Sequence, residues 1–154
     1  MAGRGQVLEV KLKVSNGINT IYLIDESYNA NPSSVKSSLE TLACIFTNKK
    51  GKGEYYRRIA VLGDMLELGF SEIQEHVNIS KFARLDKIDK VYCVGSRMKK
   101  LFDVLPYSKR GFWTQTAEEM QHVLVNKLEN GDIIMIKGSF SMGMTTIVNK
   151  LKNI

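Results

Sequence analysis

Residues that build metal clusters and disulfide frameworks are scarce in this sequence, which has two cysteines and two histidines among 154 residues. Cys44 lies in a helical pattern and Cys93 in an apolar run, and neither belongs to a CxxC pair or has a plausible histidine ligand nearby. The sequence therefore predicts no metal site. We expect both cysteines to be buried, reduced thiols.

Long apolar runs are also missing. No stretch of about 18 apolar residues occurs, and the opening residues, MAGRGQVLEV, lack the apolar segment of a signal peptide. These absences predict a cytoplasmic protein without a membrane span. With 44% hydrophobic and 25% charged residues, the composition suits one globular core. We therefore expect residues 1–154 to form a single domain.

A basic stripe with interleaved aromatic residues, which would indicate nucleic-acid binding, is not found despite the net charge of +6. The densest positive cluster lies in NKKGKGEYYRR at 48–58, between a helical and a strand pattern. Its two glycines predict a solvated loop. We expect no nucleic-acid partner, because a solvated loop explains this cluster; the positive charge by itself would equally suit a phosphorylated, carboxylate-rich small substrate.

The patterns that are present alternate between strands and helices. Alternating apolar residues at 6–14 and 20–25, separated by turn residues, predict an antiparallel β-hairpin. Asn31 and Pro32 then supply the N-cap and first-turn proline of a helix. Continuous apolar runs predict further strands at 58–63, 90–95 and 132–138, with a brief one at 111–113.

Four more helices are predicted after the first. Two of them begin with capping-box spacing, at Ser71 with Gln74 and at Thr116 with Glu119. The predicted spans are 71–84, 96–105, 116–128 and 144–151. This alternation predicts an α/β fold: a Rossmann-like, mostly parallel sheet with helices on both faces and an N-terminal antiparallel β-hairpin.

In such a sheet, ligands bind at the carboxyl ends of the strands, and three predicted loops there carry polar residues. The first, DESYNANPSS at 25–34, places Asp25, Tyr28, Asn29 and Asn31 before a helix. This is more hydrogen-bonding capacity than a tight turn needs, which favours a ligand. Turn bonding, a helix cap and packing of the tyrosine explain the same residues without one.

The second loop, GDMLELG at 63–69, places Asp64 and Glu67 three residues apart after a buried strand. Paired carboxylates there could hold an amine or a metal, whereas solvent-facing acids in a turn are the commoner arrangement. His76 lies on the following helix, where a lone histidine is more often structural than catalytic. It is a candidate general base only by default.

The third loop, KGSFSMGM at 137–144, has the glycine spacing of a Walker A phosphate loop, completed by Thr145. The lysine that would reach the β and γ phosphates is replaced by Met144, so a functional P-loop is excluded here. The remaining turn presents Ser139, Ser141 and backbone amides at a helix N-terminus, which suits a carboxylate. A plain strand-to-helix turn with Ser141 as N-cap is the alternative.

The sequence resembles the C-terminal domain of the Mur ligases, specifically the D-alanyl-D-alanine-adding members. The resemblance is carried, in order, by Gly3-Arg4-Gly5, IDESYNANPSS, VLGDMLELG, and KGS followed by SM at 141–142. The resemblance covers almost the whole chain. It implies an ATP-dependent amide ligase of peptidoglycan precursor synthesis with three domains. The N-terminal and central ATP-binding domains would be absent here, so Met1 would not be the natural start and the chain alone would be inactive.

The resemblance also implies the chemistry. ATP would convert the carboxylate of UDP-N-acetylmuramoyl-tripeptide into an acyl phosphate, which the amine of D-alanyl-D-alanine attacks. ATP and Mg²⁺ would be held mainly by the absent central domain. The C-terminal domain would close over the reacting centre like a lid, against the upstream domains of the same ligase. A stand-alone nucleotide-binding or regulatory module of the same fold is the alternative function.

Matched residue by residue, the resemblance implies two groups of binding residues and two supporting residues, with no catalytic residue assigned. The nucleotide-binding group comprises Arg4, Asp25, Tyr28, Asn29 and Asn31. The substrate-binding group comprises Lys137, Gly138 and Ser139. The supporting residues are Asp64 and His76.

The chain departs from the family pattern at a few positions. Phe140 and Gly143 stand where arginines are usual, Thr145 stands where an acid is common, and Glu26 replaces an aspartate. Neutral residues cannot form the bidentate pair with a carboxylate that an arginine forms. We expect Lys137 or backbone amides to compensate.

Overall fold

The structure, a computed structural model, describes residues 6–45, 47 and 55–153. Within this part of the chain, six strands form one sheet in the order β1-β2-β6-β3-β4-β5. β1 and β2 pair antiparallel, and every other neighbouring pair is parallel. The predicted mostly parallel sheet with an N-terminal hairpin is therefore confirmed.

The element bounds agree with the prediction to within a few residues, apart from one helix. The strands are β1 (Val7–Val14), β2 (Gly17–Glu26), β3 (Arg58–Gly63), β4 (Lys90–Val94), β5 (Arg110–Thr114) and β6 (Ile133–Lys137). The helices are α1 (Pro32–Cys44), α2 (Glu72–Asn78), α3 (Ser96–Val104), α4 (Ala117–Lys127) and α5 (Thr145–Lys152).

Helices cover both faces of the sheet, which explains the continuous apolar runs of the central strands. On one face, Ala60 and Leu62 of β3 pack in a core with residues of α1 and α3. On the other face, Ile59 and Val61 of the same strand pack with residues of α4 and α5. Alternate side chains of one strand thus enter two different cores.

Two of the predicted helix starts form as expected. The Asn31 side chain accepts a hydrogen bond from the Ser34 backbone N–H, and the Ser34 hydroxyl accepts one from the Asn31 N–H. Thr116 and Glu119 form the reciprocal pair at α4. These capping boxes satisfy N–H groups that have no partner within the helix.

The predicted helix at 71–84 begins as expected, with Ser71 at the N-cap position, but its capping box does not form and its predicted length is wrong. The Ser71 hydroxyl donates to the Leu68 carbonyl instead of capping the helix, and Gln74 bonds to Asn78 along the helix surface. α2 ends at Asn78, and short 3₁₀ turns follow it. The apolar residues beyond Asn78 reach the core through these turns.

The prediction that both cysteines are buried is correct only for Cys93. Burial raises the pKa of the Cys93 thiol, which therefore stays protonated. Cys44 is exposed because it falls at the last residue of α1, where its sulfur accepts a hydrogen bond from Arg84. The helical pattern around Cys44 predicted the helix correctly, but it did not predict that the Cys44 side chain faces solvent in the last turn.

The predicted solvated loop at 48–58 lies largely outside the described residues, and its described end is not a free basic surface. Arg57 pairs with the buried Asp132, and Arg58 opens β3 with its guanidinium on the Ile45 carbonyl. Among the described residues, no helix is long and apolar enough to cross a membrane.

Candidate functional site

Three polar loops meet where the parallel strands end, at an edge that we call the carboxyl edge. The asparagine loop (27–31) follows β2, the acidic loop (64–68) follows β3, and the serine loop (138–143) follows β6. Because β6 lies between β2 and β3 in the sheet, the serine loop is flanked by the other two. The topology thus brings together the three segments that the sequence singled out.

Ser139 connects the two flanking loops. Its hydroxyl accepts a hydrogen bond from the Leu66 N–H at 2.9 Å and donates to the Ala30 carbonyl at 3.5 Å. Its own N–H donates to the Asp64 carbonyl at 3.2 Å. One buried serine therefore fixes the spacing between the asparagine and acidic loops.

Lys137 is a buried cation behind the asparagine loop, with only 4% of its surface exposed. Its ammonium donates to the Asn29 carbonyl at 3.0 Å and lies 3.8 Å from the Glu26 carboxylate. A buried charge is tolerated when it is paired and hydrogen-bonded in this way. Lys137 thus holds the asparagine loop against β6.

Gly138 is required for close packing. A Cβ atom at this residue would lie 2.6 Å from Cγ of Met144, and one at Gly63 would lie 2.7 Å from Sδ of the same methionine. The buried Met144 side chain therefore fits beneath both glycines. This packing brings the starts of the serine and acidic loops close to each other.

Asp64 occupies the N-terminus of α3 with its own carboxylate. Oδ1 accepts from the Met98 N–H at 2.7 Å, and Oδ2 accepts from the Arg97 backbone and guanidinium at 3.3 Å each. Arg97 also donates to Glu72 at 2.6 Å, a bond that raises the pKa of the guanidinium. The helix N-terminus, which attracts anions, is thus already filled.

His76 is completely buried under the acidic loop. Nε2 accepts a hydrogen bond from the Met65 N–H at 2.9 Å, and Nδ1 contacts the Glu72 carbonyl. Because a carbonyl only accepts, the ring proton lies on Nδ1. Both ring nitrogens are engaged with backbone groups, so His76 is not open to a substrate as a general base.

The polar residues at the end of β2 and in the asparagine loop largely bond to one another. Asp25 accepts hydrogen bonds from the backbone N–H and hydroxyl of Ser27, and the Tyr28 hydroxyl donates to the Asp25 carbonyl at 3.4 Å. Asn29 accepts from the Ala30 N–H at 2.9 Å, and Asn31 caps α1. This is the turn-and-cap arrangement that the sequence offered as the alternative to a ligand.

A cleft of about 490 Å³ opens between the three loops. Three of the predicted site residues line it, namely Asn29, Asn31 and Ser139. The remaining lining residues are Ala30, Leu66, Glu67, Leu68, Phe140 and Ser141. Members of the predicted nucleotide group and of the predicted substrate group thus line the same cleft.

The other predicted residues lie outside this lining. Asp25 and Tyr28 bond within their own segment, Lys137 and Gly138 fix the loops through Asn29 and Met144, and Asp64 and His76 support the acidic loop. Arg4 lies outside the described residues. Sequence reasoning missed the apolar lining. The sequence paired Glu67 with Asp64 by their spacing, but only Glu67 of the two lines the cleft.

The described residues do not form a metal-binding site or a site for the phosphates of a nucleoside triphosphate. They contain no group of three or more His, Cys, Asp or Glu side chains that could hold a metal ion. The Walker-like turn has the buried Met144 where a phosphate-binding lysine would stand. The Walker-like turn therefore lacks the side chain that would reach the β and γ phosphates.

Residues 4–140 match the family described as Mur ligase, glutamate ligase domain. This match includes all three loops up to Phe140. The chain belongs to the Mur ligase family. Its α5 helix, which packs on the second core, lies beyond the matched residues.

Curated relatives of this Mur ligase domain bear the name UDP-N-acetylmuramoyl-tripeptide–D-alanyl-D-alanine ligase. The protein of Mycobacterium leprae is 30% identical over 98% of this chain and 31% of its own length. The protein of Rickettsia prowazekii is 27% identical over 96% of this chain and 29% of its own length. The chain thus spans 29% to 31% of the length of these two relatives.

Solved structures share the fold of this Mur ligase domain. The MurF ligase of Thermotoga maritima in complex with ADP gives a TM-score of 0.73 at 21% identity, covering 99% of this chain and 31% of that one. A domain of a putative UDP-N-acetylmuramate:L-alanyl-γ-D-glutamyl-meso-diaminopimelate ligase from Haemophilus ducreyi gives 0.60 at 18% identity, and 96% of each chain is covered. The Haemophilus ducreyi domain and this chain thus match over nearly the whole length of both.

Proposed function

We propose that this chain is the C-terminal, amine-binding domain of an ATP-dependent ligase that joins D-alanyl-D-alanine to UDP-N-acetylmuramoyl-tripeptide. The observation that carries the proposal is the match of nearly the whole chain to relatives that bear this activity in their names. A cytoplasmic location and a role in peptidoglycan precursor synthesis follow from this function. The remaining domains of the ligase would precede this one.

The cross-linked loops support a role as a lid. Ser139 and Lys137 join the three loops into one unit, so the cleft can move without changing its shape when the domain closes. Closure over an acyl phosphate would keep water from hydrolysing it and would hold the amine beside the reacting carbon. The chain would contribute position rather than a general base, since His76 is fully engaged.

The nucleotide contacts of this chain would be few. Asn29 and Asn31 share the cleft with Ser139, so the geometry favours the amine substrate as their ligand. Asp25 and Tyr28 are left as the candidate nucleotide face, together with Arg4. ATP phosphates and Mg²⁺ would be bound mainly by the upstream domains, because the described residues here do not fit them.

A chimeric ligase tests this proposal. The upstream region of the Mycobacterium leprae relative would be joined to this chain, with the same region lacking a C-terminal domain as control. We expect phosphate release that requires ATP, muramoyl-tripeptide and D-alanyl-D-alanine together. A chimera that folds, as judged by circular dichroism, but releases no dipeptide-dependent phosphate would contradict the proposal.

A stand-alone nucleotide-binding module makes the opposite prediction. Such a module would bind ATP tightly without other domains, whereas the filled α3 N-terminus and the missing lysine predict no micromolar binding. Titration calorimetry of the chain with ATP and Mg²⁺ separates the two. Magnesium-dependent binding in the micromolar range would favour the module.

A further inference from the structure

Glu67 is the one charged residue among the side chains that line the cleft. It is exposed, and it has no hydrogen-bond or ion-pair partner among the described residues. Asp64, the other carboxylate of the acidic loop, is committed to Arg97 and the N-terminus of α3. Among the described residues that line the cleft, Glu67 therefore carries the only negative charge that could pair with a cation.

The backbone at Glu67 is strained. Its φ of 64° lies in the left-handed region, and no other described non-glycine residue has a positive φ. The surrounding loop imposes this conformation, since the Met65 N–H is held by His76 and the Leu66 N–H by Ser139. Backbone conformations of this kind cluster at active sites and ligand-binding segments.

The rest of the polar lining is neutral and can donate hydrogen bonds. The amide oxygens of Asn29 and Asn31 are occupied by the N–H groups of Ala30 and Ser34, which leaves the amide nitrogens to donate to a ligand. Such donors suit a carboxylate or a carbonyl. Apolar lining is supplied by Ala30, Leu66, Leu68 and Phe140.

We propose that Glu67 is a positioning residue that binds the ammonium group of a small zwitterionic peptide in this cleft. The inference rests on the proposed function, which makes the peptide D-alanyl-D-alanine. Its carboxylate then faces the amides of Asn29 and Asn31, and its methyl groups face the apolar lining. The ammonium releases one proton to solvent before the amine acts as a nucleophile.

The test is a titration of the ¹⁵N-labelled chain with D-alanyl-D-alanine and with N-acetyl-D-alanyl-D-alanine, which has no ammonium group. We expect acetylation and the Glu67→Gln change each to weaken binding about ten- to a hundredfold, the value of one hydrogen bond between charged groups. In Glu67→Gln, the two peptides should bind equally, because both changes remove the same contact. Glu118→Gln, an exposed carboxylate outside the cleft lining, is the matched control.

The Glu67→Gly variant distinguishes a role of Glu67 in binding the dipeptide from a role in folding. Glycine adopts a φ of 64° without a Cβ clash, so this variant should keep the wild-type melting temperature while losing the preference for the free amine. A residue with only a structural role would leave that preference unchanged. Failure of the wild-type chain to bind the free dipeptide, or a preference retained in Glu67→Gln, would overturn the inference.

The chimeric ligase distinguishes this failure from failure of the proposed function. If the chimera ligates but Glu67→Gln leaves its KM for the dipeptide unchanged, the inference is wrong and the function stands. If the isolated chain binds the dipeptide through Glu67 but the chimera does not ligate, the function is wrong and the inference stands.

Discussion

At the scale of single residues, the Arg57–Asp132 pair joins a fully buried carboxylate to a mostly buried guanidinium. Both carboxylate oxygens of Asp132 accept from the guanidinium at 2.8 Å, and one also accepts from the Glu129 N–H at 2.7 Å. This carboxylate raises the pKa of Arg57, which stays charged. The pair joins the start of β3 to the start of β6, far along the chain from each other.

Asp132→Asn should destabilise the chain strongly. The change removes the buried counter-charge of the mostly buried Arg57 guanidinium and leaves only the surface carboxylate of Glu129, which costs about 3–5 kcal/mol of unfolding free energy. Glu129→Gln is the matched control, because Glu129 binds the same arginine at the surface and should cost less than about 1 kcal/mol. Urea unfolding measures both, and equal effects of the two variants would contradict this assignment.

Cys93 should make the chain less stable at alkaline pH. Burial raises the pKa of its thiol in the folded state, so the unfolded chain loses this proton first as the pH rises. Stability is therefore complete below about pH 8.5 and declines above it by about 1.4 kcal/mol per pH unit. Unfolding of Cys93→Ala between pH 8 and 10 should lack this component, and an identical slope in both proteins would rule it out.

At the scale of elements, α1 begins at the cleft and depends on Asn31 for its first turn. Asn31→Ala removes the cap and should cost about 0.5–2 kcal/mol of unfolding free energy. Asn31→Ser keeps a capping oxygen but has no amide donor, so it should restore stability without restoring dipeptide binding. Thermal unfolding and the peptide titration of both variants test this prediction. Equal stability of the two variants, or dipeptide binding by Asn31→Ser, would contradict it.

The elements themselves could be predicted well from the sequence, because their signals are local. Capping spacing at Thr116 and apolar runs in β3, β4 and β6 depend on residues close together in the chain. The end of α2 could not be predicted in this way, since the residues after Asn78 enter the core through short turns set by packing. The outward position of Cys44 has the same kind of cause.

The candidate site could be predicted only in part. The three loops were identified from their polar residues, and the parallel sheet places them together as expected. The sequence did not show which residues face the cleft. Lys137 and Gly138, for example, fix the loops through Asn29 and Met144 and do not line it. The left-handed backbone at Glu67 has no sequence signal, since it is imposed by bonds from Ser139 and His76 to its neighbours.

At the scale of the whole molecule, the described residues form one sheet with a core on each face, and three polar loops meet at its carboxyl edge. The matched relatives are more than three times its length, and its cleft faces outward from the carboxyl edge. This arrangement is consistent with the proposed role as a lid that carries one substrate. The proposed closure as a rigid unit would require the three loops to keep their mutual hydrogen bonds.

The most direct test of this account is the location of bound D-alanyl-D-alanine on the ¹³C-labelled chain. Isotope-filtered NOE measurements detect contacts between the methyl groups of the dipeptide and protein side chains. The account predicts contacts to Leu66, Leu68 and Phe140, the apolar lining of the cleft. Contacts only to residues elsewhere on the chain, or to no part of the carboxyl edge, would contradict it.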